Sequence, residues 1–225
     1  MYLVNIHTHL PTGAPELVEL TNVRYGQDPA KESSLVSAGL HPWYLADVDL
    51  TQAEQWLREY AKRPATLAIG EAGLDKATGT PWNRQLDAFA LCVRIAAEFE
   101  KPLIIHCVKA YGEVLQLLGR QHRSNFSLAS HAVFHGFDKH AQTAQMLLEA
   151  GCQLSFGAAL FRENSHAAEV LRETPANRFF LETDDKSLDI KAVYARAAEI
   201  RGVLADHLKA QICQNFQTVF GYNRK

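Results

Sequence analysis

The sequence predicts an α/β protein of the (β/α)8 TIM-barrel class, and three observations lead there. Short apolar runs alternate with polar segments at helical spacing, eight such runs can be counted, and 225 residues is a natural size for one barrel. Strands alternating with helices imply a parallel sheet under helical cover. Eight strands within a single domain, residues 1–225, place reactive groups at the carboxyl ends of the strands.

The expected elements follow in order. Tyr2–Ile6 and Leu17–Val23 are the first two strands. Residues 10–34 leave too little chain for a full helix, strand and helix, so the barrel is expected to be abbreviated or distorted there. Leu35–Leu40 is the third strand; Thr51-Gln-Ala-Glu54 then has the pattern of a capping box, with Trp56, Leu57 and Tyr60 at helical spacing behind it. Thr66–Ile69 is the fourth. Pro81 stands just inside the start of a long helix whose Leu86, Phe89, Ala90, Val93 and Ala97 share a face. Pro102–Cys107 and Phe126–Phe134 are the fifth and sixth strands. Asp138 is the expected cap of a helix running through Ala144, Met146, Leu147 and Leu148 to Gly151. Cys152–Phe156 and Arg178–Glu182 are the last strands, and helices near 187–202 and 204–219 finish the chain.

The composition, 47% hydrophobic and 21% charged, is that of an ordinary globular protein. A net charge of -2 argues against a broad basic field for gripping duplex nucleic acid. Cys92, Cys107, Cys152 and Cys213 are scattered and form no CxxC pair, which reads as reduced thiols. The start of the chain lacks a signal-peptide pattern, and no run approaches the roughly 18 apolar residues of a membrane helix. A soluble cytoplasmic protein is expected.

Chemistry-capable residues gather at the strand ends. Residues two apart on a strand face one side, so His7 and His9 point together from the end of the first strand. The third strand ends at His41, the fourth runs into Glu71, the fifth ends on His106 and the sixth on His135. The eighth ends on Glu182 and Asp184, again two apart. Imidazole and carboxylate donors without cysteine suit zinc, manganese or magnesium, and there are enough of them for two divalent metal ions. Such a pair clamps the attacking and leaving oxygens of a hydrolytic displacement. Other residues read more plainly. His131 shares the sixth strand but lies farther from its end than His135; His122, His140, His166 and His207 fall in helical or loop segments and are expected to be solvated. Lys109 and Arg162 read as surface charges, and Phe179-Phe180 as barrel packing. Ser130 and Ser155 lack a nucleophile elbow, which argues against a serine hydrolase.

In order, "NIHTHL", "AGLHP", "AIGEAGLD", "PLIIHC", "VFHGF" and "FLETDD", with the closing "NFQTVFG" of Asn215 to Gly221, resemble the TatD family of metal-dependent hydrolases among the amidohydrolase-like barrels. The resemblance covers roughly residues 1–9 and 35–221. It implies that His7, His9 and Asp184 hold one metal and that Glu71 bridges to a second, completed by His106 and His135. It makes Glu71 and Asp184 the catalytic carboxylates, with Asp184 orienting and helping to deprotonate the attacking water, and puts His41 beside the substrate. Asn5 stands where the family usually has aspartate, Val108 where an arginine is common, and Asp185-Lys186 where the family tends to a small residue and proline. The activity implied is divalent-metal-dependent hydrolysis of phosphodiester bonds, deoxyribonuclease-like, on single-stranded DNA or a small phosphorylated substrate. The alternative is C–N hydrolysis of a small amide, which Val108 and the acidic balance favour slightly; a non-catalytic metal-binding barrel stands third. No membrane and no stable protein partner are expected.

Overall fold

The computed structural model describes residues 2–27, 34–119, 122–123 and 126–223. β1 (Leu3–Thr8) and β2 (Leu17–Arg24) are parallel and joined by a helix-free link at residues 9–16, which is the abbreviation expected there. Residues 28–33 of the same stretch lie outside the described residues. β3 (Val36–Gly39) leads through a tight turn at Pro42–Tyr44 into α1 (Leu50–Lys62). β4 (Thr66–Asp75) precedes α2 (Trp82–Glu98), and β5 (Leu103–Val108) precedes α3 (Tyr111–Gly119). β6 (His122–Arg123) and β7 (Phe126–Ser127) form an antiparallel pair of their own. β8 (Ala132–Phe134), α4 (Ala141–Glu149), β9 (Gln153–Phe156), α5 (Ala167–Glu173), β10 (Phe179–Leu181), α6 (Ile190–Arg201) and α7 (Ala205–Phe220) complete the chain. No helix among the described residues is long and apolar enough to cross a membrane.

Several local expectations are corrected. The capping box at Thr51 does not form, because Asp49 caps α1 first: its Oδ1 accepts from the amides of Thr51 at 2.8 Å and Gln52 at 3.4 Å. Glu54 pairs with Arg58 and Arg94 instead. Pro81 occupies the N-cap position, one residue before α2. Asp138 caps nothing in α4; its carboxylate collects the Ser165 hydroxyl, the His166 amide and the Arg162 guanidinium. The expected strand Phe126–Phe134 breaks into β7, a turn at Ala129–His131 and the three-residue β8. His131 therefore shares no strand with His135, and its Nδ1 lies 2.8 Å from the Ser127 carbonyl. His122 falls in β6 rather than in a helix or loop.

The chain divides into two compact units, Met1–Thr21 with Phe134–Lys225, and Asn22–Val133. In the first, β9 and β10 pair in parallel, and β10 reaches β1 through the bridge Thr8–Asp184. Because β10 is only three residues long, it leaves Val4 without a strand partner on that side. Tyr194 of α6 takes that place, its buried hydroxyl accepting from the Val4 amide at 3.1 Å and donating to the Val4 carbonyl at 3.0 Å. Ile6, Phe156, Phe179, Phe180 and Phe216 fill the core of this unit, each worth about 1.5–3 kcal/mol on full burial.

In the second unit β3, β4 and β5 pair in parallel, with α2 against β4 and α1 against α2. All ten residues of β4 are buried, the pattern of a parallel strand covered on both faces. Its Gly73 is required: a Cβ there would stand 1.8 Å from the carbonyl oxygen of His106. That close approach brings the carboxyl halves of β4 and β5 together, where Glu71, Asp75 and His106 lie.

Candidate metal centre

In the first unit, backbone pairing aims the donors. The Asp184 amide donates to the His7 carbonyl and the His9 amide to the Asp184 carbonyl, both at 3.0 Å. Asp184 sits at φ +56°, a left-handed conformation that aspartate tolerates better than most residues, and this turns its carboxylate onto both histidines. His7 Nε2 lies 3.3 Å and His9 Nε2 3.5 Å from Asp184 Oδ1. Those distances exceed the 2.7–3.2 Å of a good N–H···O bond. They are close to the roughly 3.3 Å that separates two ligands of one tetrahedral cation held at about 2.0 Å. His7 is fully buried while His9 and Asp184 are each about a third exposed, so the trio opens on solvent from one side. The chemistry and spacing of this His-His-Asp set fit a divalent cation.

The expected departure at Asn5 explains itself beside this trio. Buried Asn5 accepts from the Thr183 amide at 3.1 Å and donates to Thr183 Oγ1 at 2.9 Å, and Thr183 Oγ1 in turn donates to Thr8 Oγ1. An amide can both donate and accept, so Asn5 clamps β1 to the end of β10, where a carboxylate would only accept. His135 packs its ring 4.4 Å from that of His7, centroid to centroid. The buried Glu182 carboxylate accepts from the Gly136 amide at 2.7 Å and faces His135 Nδ1 at 3.4 Å, so it holds the imidazole by that nitrogen.

The second unit carries His41, Glu71 and His106 within ligand distance of one another. His41 Nδ1 accepts from the Trp43 amide at 3.1 Å, so the neutral ring carries its proton on Nε2, which donates to Glu71 Oε1 at 3.1 Å. His41 is thus suited to orient the Glu71 carboxylate rather than to ligate. His106 lies between two carboxylates, Nδ1 at 3.1 Å from Glu71 Oε1 and Nε2 at 3.1 Å from Asp75 Oδ2. Burial alone would raise the Asp75 pKa. Hydrogen bonds from the Trp43 indole at 2.6 Å, from the Ala77 amide at 2.7 Å and from His106 outweigh it and hold the carboxyl below the usual carboxylate range. Ionised Asp75 then accepts a hydrogen bond from the His106 Nε2–H, and Nδ1 presents its lone pair beside Glu71.

Every expected site residue therefore stands in a cluster of its own unit: His7, His9, His135 and Asp184 in one, His41, Glu71 and His106 in the other. Asp75 was not among the expected residues, although its four-residue spacing from Glu71 puts both on one face of β4. Glu182 stood at a strand end in the sequence, but nothing there tied it to His135.

Comparison with known proteins places the whole chain. The family described as TatD related DNase matches residues 16–221, a stretch that begins after His7 and His9. The uncharacterized metal-dependent hydrolase YcfH of Escherichia coli is 28% identical over 84% of this chain and 75% of its own. A protein of Klebsiella pneumoniae named 3'-5' ssDNA/RNA exonuclease TatD is 28% identical over 96% of this chain and 87% of its own. Among solved structures, the TatD homologue YJJV of Escherichia coli superposes with a TM-score of 0.73 at 23% identity, covering 84% of this chain and 78% of that one. A TatD family hydrolase of Entamoeba histolytica gives 0.75 at 14% identity over 98% of both. These likenesses show the fold, parallel strands alternating with helices in the (β/α)8 manner.

Proposed function

Because the chain belongs to the TatD-related DNase family and is a metal-dependent hydrolase of it, we propose that it cleaves phosphodiester bonds of single-stranded DNA or RNA by attack of water. The observation that carries this reading is the convergence of His7, His9 and Asp184 at ligand spacing. These three would hold one divalent cation, zinc, manganese or magnesium. Glu71 and His106 would hold a second, and His135, turned by Glu182, would be a ligand too. Such cations would supply Lewis-acid chemistry, making water more acidic and offsetting charge on the phosphate oxygens. Asp184 orients the attacking water and accepts its proton. An O–P bond forms from that water as the P–O bond to the leaving sugar oxygen breaks, and the leaving oxygen takes a proton from solvent. His41 keeps Glu71 in place, and Asp75 keeps the His106 lone pair directed at it. A reducing cytoplasmic setting accords with four free cysteines.

Elemental analysis of purified wild type and of His7→Ala/His9→Ala, with nucleotide release from single-stranded DNA by wild type and Asp184→Asn, tests the reading. About two metals per chain, fewer in the double variant, and loss of release in Asp184→Asn are expected. Metal-replete wild type that releases no nucleotides would refute it, as would equal release by Asp184→Asn. Turnover of a small cyclic amide in place of nucleic acid would move the assignment to C–N hydrolysis.

A further inference from the structure

Two aromatic side chains stand half exposed beside the His41–Glu71–His106 cluster, Trp43 at 54% and Tyr44 at 53%. Single exposed aromatics are common on protein surfaces and mean little by themselves. What distinguishes these two is that both are held. The Trp43 indole N–H donates to Asp75 Oδ2 at 2.6 Å, and Asp75 is itself only 2% exposed and fixed by the Ala77 amide. The same indole stands edge-on to His41 at 5.0 Å and to His106 at 5.6 Å between ring centroids. Tyr44 leans on the same His41, its ring 5.4 Å away, and carries the Arg24 guanidinium 4.0 Å above its face. His41, with Trp43 and Tyr44 both against it, places its Nε2 3.1 Å from Glu71.

We propose that Trp43 and Tyr44 form a stacking shelf that seats an unpaired nucleobase next to the bond to be cut, with Arg24 facing the adjoining phosphate; this rests on the nucleic-acid reading above. A base has an apolar face of the size an indole offers, and stacking on it needs no particular base. A ring already fixed by its hydrogen bond to a buried carboxylate loses little freedom when a base settles on it. Arg24 adds a positive charge for the backbone, the second element of single-strand recognition. Bases in a duplex are already stacked on their neighbours, so the shelf selects unpaired strands. It also supplies register, since a base seated beside His41 sets its own phosphate next to Glu71 and His106.

The test compares wild type, Trp43→Ala and Trp43→Phe on oligothymidylate and on the same strand with its two 3′-terminal nucleotides made abasic. Steady-state KM is measured on both, and equilibrium binding of both is followed by the fluorescence anisotropy of a dye on the 5′ end of the strand. For Trp43→Ala the loss on the base-bearing strand is expected to exceed the loss on the abasic strand about tenfold, chiefly in KM, and Trp43→Phe should recover most of it. Equal losses on the two strands would overturn the shelf, because Trp43 would then act only by holding Asp75. No loss on either strand would overturn it as well. Wild type that cleaves neither strand would instead sink the nuclease reading and take the shelf with it.

Discussion

Tyr194→Phe removes a single oxygen, and the structure says what that oxygen does. The hydroxyl satisfies both backbone groups of Val4, a fully buried residue of β1, at 3.1 and 3.0 Å. Phenylalanine fits the same space and leaves a buried N–H and a buried C=O without their partner. Each orphaned group costs about 1–3 kcal/mol, and the void left by one oxygen is too small to hold a water with its partners. The expected destabilisation is about 3 kcal/mol. For a domain above 200 residues this is roughly a 6–12 °C fall in Tm, at about 2–4 °C per kcal/mol. Urea unfolding of metal-stripped protein is the cleaner assay, since bound metal would add its own mass-action stabilisation and make the midpoint depend on metal concentration. The midpoint should fall while the slope is unchanged. A loss below about 1 kcal/mol would refute the reasoning, by showing that β1 shifts to find other partners for Val4.

Three further outcomes follow from the same contacts. Asp75→Asn removes the charge that accepts from the His106 Nε2–H and the Trp43 indole, and should weaken metal retention about 10–100-fold; competition against a chelator measures it, and an unchanged affinity would mean His106 is oriented without Asp75. Gly73→Ala forces β4 and β5 apart where the added Cβ meets the His106 carbonyl, and should destabilise by about 3 kcal/mol or more; a wild-type urea midpoint would contradict that close approach. Burial pushes the Cys92 and Cys152 thiols up to about 12, with Arg178 only partly offsetting it for Cys152. Both should resist a disulfide reagent at pH 8 until the protein unfolds, and mass mapping that finds either one labelled in the native protein as fast as partly exposed Cys107 would count against that burial.

The strands were legible because each is an apolar run closed by a polar residue, and the candidate donors are those closing residues. Period-two geometry and strand ends were enough to single out His7, His41, Glu71, His106, His135 and Asp184 as candidates, and each stands in a cluster with others of them. Failures came where two local signals competed. Asp49 and Thr51 both offer a helix cap, and the carboxylate nearer the helix start wins, freeing Glu54 for arginines. Around Ala129–His131 the apolar run hid a turn, because hydrophobicity alone does not tell a strand from a short helical turn over three residues. α3 and α5 are short helices of nine and seven residues and lack the long apolar stripe that announced α2.

What the sequence hid most completely was the carboxylates whose partner is the outer nitrogen of a histidine. Asp75 and Glu182 are an acidic residue each near a strand end, indistinguishable by type from Glu71 and Asp184. Their roles depend on which side of an imidazole they meet. Asp75 takes the nitrogen of His106 turned away from Glu71, and Glu182 faces the Nδ1 of His135 while anchored to the Gly136 amide. Asn5 belongs to the same class: its departure from the family aspartate looks like a lost charge in the sequence, yet the amide's extra donor closes a hydrogen-bonded clamp through Thr183 to Thr8. That clamp lies immediately beside His7 and Asp184. A one-dimensional pattern reports which residues can hold a metal, because that is a property of residue type. Which residues hold the holders is a property of three-dimensional neighbours, and at all three positions it is a hydrogen-bond direction that decides it.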